Sequence, residues 1–379
     1  MKKSRRYLLL VVALAAVGYF AYKFRNSITL EGFRWGMVAA SLRHSRVSFL
    51  VLGAVVIYVC FAIRALRWMR FCRWLGPSRF WNVYGATLMG FTCTFLLGRA
   101  GEPIRPVLIA RKDSLSIPGM FGVYVLERIS DAVATLVLAG CALLMLQHGS
   151  LAGHTVEGPA GASIVRIARS TGALLLVALV AAIAFLVYFR YHGAGWLAKK
   201  LHDSKWRHGW RGKVVLLLEG FIEGLQGIRT WEDLGALAGY TGIHWALVAV
   251  VYELVTHAFG GRLAQLSVGA VILVLAFTLV GSAVQLPGVG GGAQLATFLV
   301  LTLVLGVEKE PAATVAIILW LVGFASCCIV GLPLLFREGW SMGDLRRMAQ
   351  AEEKAGEEEL LAEAEHASDS ASAGKELLR

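Results

Sequence analysis

The sequence predicts an all-α, polytopic membrane protein of about seven full transmembrane helices plus two interrupted or re-entrant hairpins. Three observations predict it. First, 57% of the 379 residues are hydrophobic and only 16% are charged, with mean hydropathy +0.65; a soluble globule carries roughly 25% charged residues to cover its surface. Second, the apolar residues lie in long uninterrupted runs, and a bilayer core of ~30 Å is spanned by about 20 helical residues. Third, Lys and Arg cluster between some runs and are missing between others, as expected of loops on opposite sides of a membrane. The net charge of +12 then belongs to loops facing anionic lipid heads. No nucleic-acid partner is expected, because no folded soluble domain is left over to bind one.

The runs come in order. Met1 to Arg6 is basic, and the apolar run Tyr7 to Tyr22 follows. It reads as an uncleaved anchor rather than a signal peptide, because the apolar stretch continues with aromatics past the small residues at Ala13 to Ala15. The basic start places the N-terminus in the cytoplasm. A second span, about Ser48 to Ile63, ends in Arg64, Arg67, Trp68, Arg70, Arg73, Trp74 and Arg79, which reads as a cytoplasmic interface with Trp at headgroup level. A third run covers Trp81 to Leu97; after the break Gly98 to Arg105 comes a short piece, Pro106 to Ala110. A fourth span, about Met120 to Leu146, leads to Gln147–Ser163, a loop free of Lys and nearly free of other charge, read as the outer face. A fifth, about Thr171 to Phe189, returns to the basic connection from Arg190 to Asp233, with an amphipathic run Val214 to Ile228 suited to the interface plane.

The sides of these loops constrain the break. With the Arg64–Arg79 cluster inside and the Gln147 loop outside, the third run and the Pro106 piece either cross together as a broken pair or enter and leave as a re-entrant hairpin. Either way Gly98 to Arg105 lies within the membrane. Spans near Leu234–Phe259 and Leu266–Gln285 follow, then a second break from Leu286 to Gln294, a short run Leu295 to Val307 and a last span Pro311 to Phe336. Paired interruptions in the two halves point to a midplane binding site. Residues 1–336 therefore read as a transmembrane domain, and 337–379, rich in Ala, Glu and Ser, as a charged cytoplasmic tail, partly disordered.

The candidate site is built on Arg99, Glu102, Arg105, Glu127, Arg128 and Asp131. Irregular backbone in hydrocarbon survives only when buried in protein or lining a cavity, and ionisable side chains there mark function. Glu127 and Asp131 are four apart and share a helix face. Two readings fit: a structural network in which carboxylates neutralise the arginines, or spare guanidinium charge clamping a phosphate, which Arg matches bidentately. At the second break, Pro287, Gly288, Gly290 and Gly291 allow close backbone approach to a ligand or tight helix packing, and Gln294 can donate to a headgroup. The loop lacks the Lys-Ser/Thr ending of a nucleotide loop. His244 and His257 read as helix-packing residues. Six cysteines show no zinc-ligand spacing, and neither a metal nor another cofactor is expected.

Gly101-Glu102-Pro103-Ile104-Arg105, then Glu127-Arg128-Ile129-Ser130-Asp131, then Leu286-Pro287-Gly288 with its glycines, in this order, resemble the flippase-like transmembrane region of the lysylphosphatidylglycerol synthetase/flippase family. The resemblance runs from about Tyr7 to Phe336 and implies a bacterial or archaeal inner-membrane protein. It further implies lipid translocation, or assistance to an enzyme acting on polyprenyl-linked or aminoacylated lipids. The family's glycine loop usually ends in Glu, where this chain has Gln294. Bifunctional members carry a soluble aminoacyl-transfer domain; with the short tail here, lysine transfer is not expected and the chain is read as no enzyme. The expected activity is translocation of an anionic phospholipid or lipid-linked headgroup, downhill or coupled to an ion gradient. The alternative is a non-transporting partner of a glycosyltransferase or lipid-modifying enzyme.

Overall fold

The computed structural model describes residues 40–147, 230–282, 285–286 and 290–339, with the single positions 343 and 347. The expected spans Tyr7–Tyr22 and Thr171–Phe189, the outer loop, nearly all of the basic connection and most of the tail lie outside the described residues.

The described chain is mostly helical: α1 (Val47–Cys72), α2 (Phe80–Leu97), α3 (Ile104–Asp113), α4 (Ile117–Gln147), α5 (Trp231–His257), α6 (Val268–Gly281), α7 (Gly292–Leu299), α8 (Lys309–Trp320) and α9 (Cys327–Arg337). Wide π turns at Val300–Val304 and Leu321–Ala325 extend α7 and join α8 to α9. Four helical stretches are long and apolar enough to cross a membrane: Val47–Cys72, Phe80–Leu97, Trp231–His257 and Lys309–Arg337. With the family placement reported below, they make the protein a multi-pass membrane protein. Helix α4, at 31 residues, carries its three charged residues well inside its length.

Helices α1 and α5 run antiparallel. At one end the Arg46 amide donates to the Ala258 carbonyl at 2.8 Å. At the other, Asp233 takes Arg70 at 3.0 Å and Arg73 at 2.6 Å. Asp233 also completes a capping box with Thr230, so one carboxylate starts α5 and anchors the end of α1. The sequence reading stopped this span at Ile63 and put Arg64 and Arg67 at the interface. The helix instead continues to Cys72, and Arg64 and Arg67 are 7% and 1% exposed. Only Arg70 and beyond reach the end of the helix, because the first two arginines find carboxylates inside.

The first interruption is a hairpin whose arms run side by side. Asn82 donates to Asp113 at 2.6 Å, and farther in, a Cβ on Gly90 would stand 2.5 Å from the Arg105 Cβ. Pairs 82/113 and 90/105 have one antiparallel phase, so α3 returns to the end where α2 began. Of the two arrangements allowed by the loop charges, this is the one that enters and leaves on the same side. Eight residues of helix put Arg105 about 12 Å in from the Asn82 end. Gly90 allows the approach, since any side chain there would push α3 off α2.

The second interruption folds likewise. Thr278 and Thr297 hydroxyls meet at 2.6 Å, and Gln285–Leu286 pairs antiparallel with Gly290–Gly291, in register Gln285↔Gly291 and Leu286↔Gly290. This two-rung ladder satisfies backbone groups that would otherwise be orphaned in hydrocarbon. The Gln294 Oε1 accepts the Gly291 N–H at 2.6 Å, closing the turn. The hairpins meet tip to tip: Arg99, on the 3-10 turn Gly98–Gly101, donates to the Ser282 carbonyl at 3.2 Å. Two apolar cores flank this junction, one centred on α1, α5, α6 and α8, the other on α2, α3 and the start of α4.

Candidate functional site

Where α1, α3, α4 and α5 converge, Glu127 is the hub. It is fully buried and accepts from three arginines on two other helices. Arg64 Nη1 and Arg67 Nη2 reach its Oε1 at 3.1 and 2.9 Å, and Arg105 pairs closely with its Oε2. An isolated carboxylate at this depth would be driven to neutralise; three guanidiniums offset that desolvation. Asp131, one turn on, takes Arg67 Nη1 at 2.9 Å and Arg64 Nη2 at 3.3 Å. Arg67 also donates to Thr241 at 3.1 Å. The Arg105 guanidinium lies 4.5 Å from the Trp68 ring centroid and 5.5 Å from that of Phe91, so aromatic faces replace part of its lost hydration.

Arg128 is held differently. Its nearest carboxylates are Asp131 at 3.4 Å, Glu127 at 3.5 Å and Glu102 at 3.6 Å, and 40% of its side chain is exposed. Glu102 is fixed by the Tyr124 hydroxyl, which donates to it at 2.5 Å. The cluster thus sets four guanidiniums, of Arg64, Arg67, Arg105 and Arg128, against three carboxylates, of Glu102, Glu127 and Asp131, leaving one formal positive charge in excess. Arg128 is the most exposed and most loosely paired of the four.

The cluster reaches a cavity of about 230 Å³ through Arg64. Arg64 and His244 line it beside Ser282, Gln294 and Thr297 from the second hairpin. The remaining wall is mostly apolar, with Phe91, Trp245, Trp320 and Phe324 prominent. The cavity therefore reaches the second interruption through Ala293 and Gln294 and touches one arm of the first hairpin through Phe91.

Of the expected site residues, Glu102, Arg105, Glu127, Arg128 and Asp131 come together. Arg99 stands apart at the hairpin tip, and Gln294 is placed across the cavity. Gly290 and Gly291 form the short ladder; Pro287 and Gly288 lie outside the described residues. Sequence reasoning missed Arg64, Arg67, Tyr124, Thr241 and His244. For Arg64 and Arg67 the available signal was spacing: they are three apart on one helix face, and the residues from Ala65 to Cys72 are apolar apart from Arg67 and Arg70.

Buried arginine–carboxylate pairing beside an apolar cavity, among helices long and apolar enough to cross a bilayer, marks a membrane domain. Residues 7–331 match the family described as the lysylphosphatidylglycerol synthase TM region, and the chain belongs to that family. A search of curated proteins found no match to the chain.

Proposed function

We propose that this protein moves an anionic phospholipid, or a lipid-linked anionic headgroup, between the leaflets of a bacterial or archaeal inner membrane. The observation that carries this reading is a cluster with one surplus guanidinium charge that reaches an apolar cavity through Arg64. A headgroup phosphate needs a desolvated cation, and Arg serves it through paired N–H groups. Its acyl or polyprenyl chain needs an apolar wall. In this reading the phosphate meets Arg64 at the cavity wall and Arg128, which flanks the same Asp131 oxygen; Glu102 and Asp131 orient Arg128, and Glu127 holds Arg105 in place behind them. The second hairpin, through Ser282, Gln294 and Thr297, forms the opposing wall. The full chain has about seven crossings and both termini in the cytoplasm, following the loop charges.

The test uses proteoliposomes carrying phosphatidylglycerol with a fluorescent headgroup-proximal label and a membrane-impermeant quencher. The protein is expected to expose inner-leaflet label to the quencher in proportion to protein density; label that stays protected at every density sinks the proposal. A second reading, a non-transporting partner of a lipid-modifying enzyme, draws on the tight locking of Arg64, Arg67 and Arg105 to carboxylates. It expects no quencher access together with stable co-purification of the enzyme.

A further inference from the structure

The wall of the cavity carries a titratable group that the lipid-site reading leaves unused. His244 lies on α5, buried at 5% exposure, with its Nε2 3.0 Å from Arg64 Nη2. A guanidinium can only donate. The Nε2 atom must therefore be the acceptor, and the imidazole is neutral with its proton on Nδ1. Among the described residues, that Nδ1 is buried without a hydrogen-bond partner, as are Arg64 Nε and Trp245 Nε1. All three side chains line the cavity. Unsatisfied buried donors on one wall form a ready site for an acceptor that is absent from the resting state.

The charges around His244 set the rule for filling that site. Arg64 and Arg67 face it from α1, and Glu127 and Asp131 from α4. Helix α6, across the cavity, carries no charged side chain, and α8 lines the cavity through Ala316, Leu319 and Trp320. A proton arriving at Nε2 removes the acceptor Arg64 now uses and sets two cations side by side. Both Asp131 oxygens are already engaged by arginines. The arrangement becomes favourable once an anion sits between Arg64 and the imidazolium and accepts from both.

We propose that the Arg64–His244 end of the cavity takes up one proton with each phosphodiester headgroup it binds. The proton comes from solvent and ends on His244 Nε2; Arg64 keeps its protons and redirects the freed N–H as a hydrogen bond to the phosphate oxygen. The inference rests on the lipid-site reading above and adds to it a built-in link between headgroup and proton occupancy.

The test is titration calorimetry of the full chain in detergent micelles with dihexanoyl-phosphatidylglycerol, whose phosphodiester has no second proton to exchange. Runs in two buffers of different protonation enthalpy count protons. Wild type is expected to take up about one proton per headgroup, with affinity falling roughly tenfold per pH unit once the free-state imidazole is neutral. His244→Gln keeps an acceptor for Arg64 but cannot titrate, and should bind more weakly with no uptake and no such pH dependence. Binding by wild type without proton uptake overturns the inference and leaves the lipid site standing, as does uptake that persists in His244→Gln. If that variant does not fold, the wild-type proton count decides alone. Absence of binding by wild type removes the lipid site and this inference together.

Discussion

Replacing Glu127 with Ala is expected to abolish recovery of folded protein. The substitution strands Arg64, Arg67 and Arg105, each at most 8% exposed in its side chain, with Asp131 as the remaining close carboxylate for two of them. Breaking one buried ion pair typically costs about 3–5 kcal/mol, because the abandoned charge stays desolvated. Here three cations lose the same partner, so the cost should reach at least the upper end of that range. Thermal melts followed by size-exclusion chromatography in detergent measure it. Glu127→Gln keeps the shape and one acceptor oxygen and should fall between wild type and Glu127→Ala. A Glu127→Ala protein that is monodisperse and melts like wild type would show that the hub is not what holds the four helices together.

Arg128→Ala is expected to behave in the opposite way: near-normal stability with lipid transfer lost. Its guanidinium is partly solvated and its ion pairs are long, and such pairs contribute roughly 0–1 kcal/mol. Its removal also brings the cluster to three cations and three carboxylates, with no charge left over for a phosphate. A charge-assisted hydrogen bond of about 1.5–3 kcal/mol corresponds to a loss of roughly 10- to 150-fold in headgroup affinity, read as the quencher-access rate in proteoliposomes. Arg128→Lys keeps the charge but not the planar fork and should recover part of it. An unchanged rate in Arg128→Ala, with folding intact, would separate lipid movement from this cation altogether.

Much of this site could be seen in the sequence because hydrocarbon makes charge conspicuous. Glu127, Arg128 and Asp131 stand out within an apolar run, and Gly98–Arg105 stands out as a break in one. The loop charges narrowed the first break to two arrangements, and the Asn82–Asp113 bond selects between them. What the sequence hid was the near half of the ion-pair network. Arg64 and Arg67 lead without interruption into Arg70 and Arg73, so all four looked like one interfacial belt. They part only in three dimensions, where the first pair turns inward to α4 and the second outward to Asp233. His244 was hidden for a similar reason. A single imidazole in an apolar helix has no sequence mark that tells a packing residue from a hydrogen-bond acceptor for a guanidinium on another helix.

The wide turn at Leu321–Ala325 carries a consequence for how this chain tolerates changes in length. The Ser326 N–H reaches back to the Leu321 carbonyl at 2.8 Å, five residues away, and the Ser326 carbonyl is taken by the Tyr58 hydroxyl at 2.7 Å. Beyond it, Gly331 is pressed against α2 so closely that a Cβ would stand 2.0 Å from the Thr92 Oγ1. An α-helix winds by about 100° per residue. A wide turn spends one residue more than an α turn on the same rotation, so deleting one residue there would restore ordinary winding with Gly331 still against α2, whereas a deletion between the turn and Gly331 would swing Gly331 away by that angle. The surplus residue in that turn is therefore where this stretch can lose a residue and keep the rotational phase of everything after it.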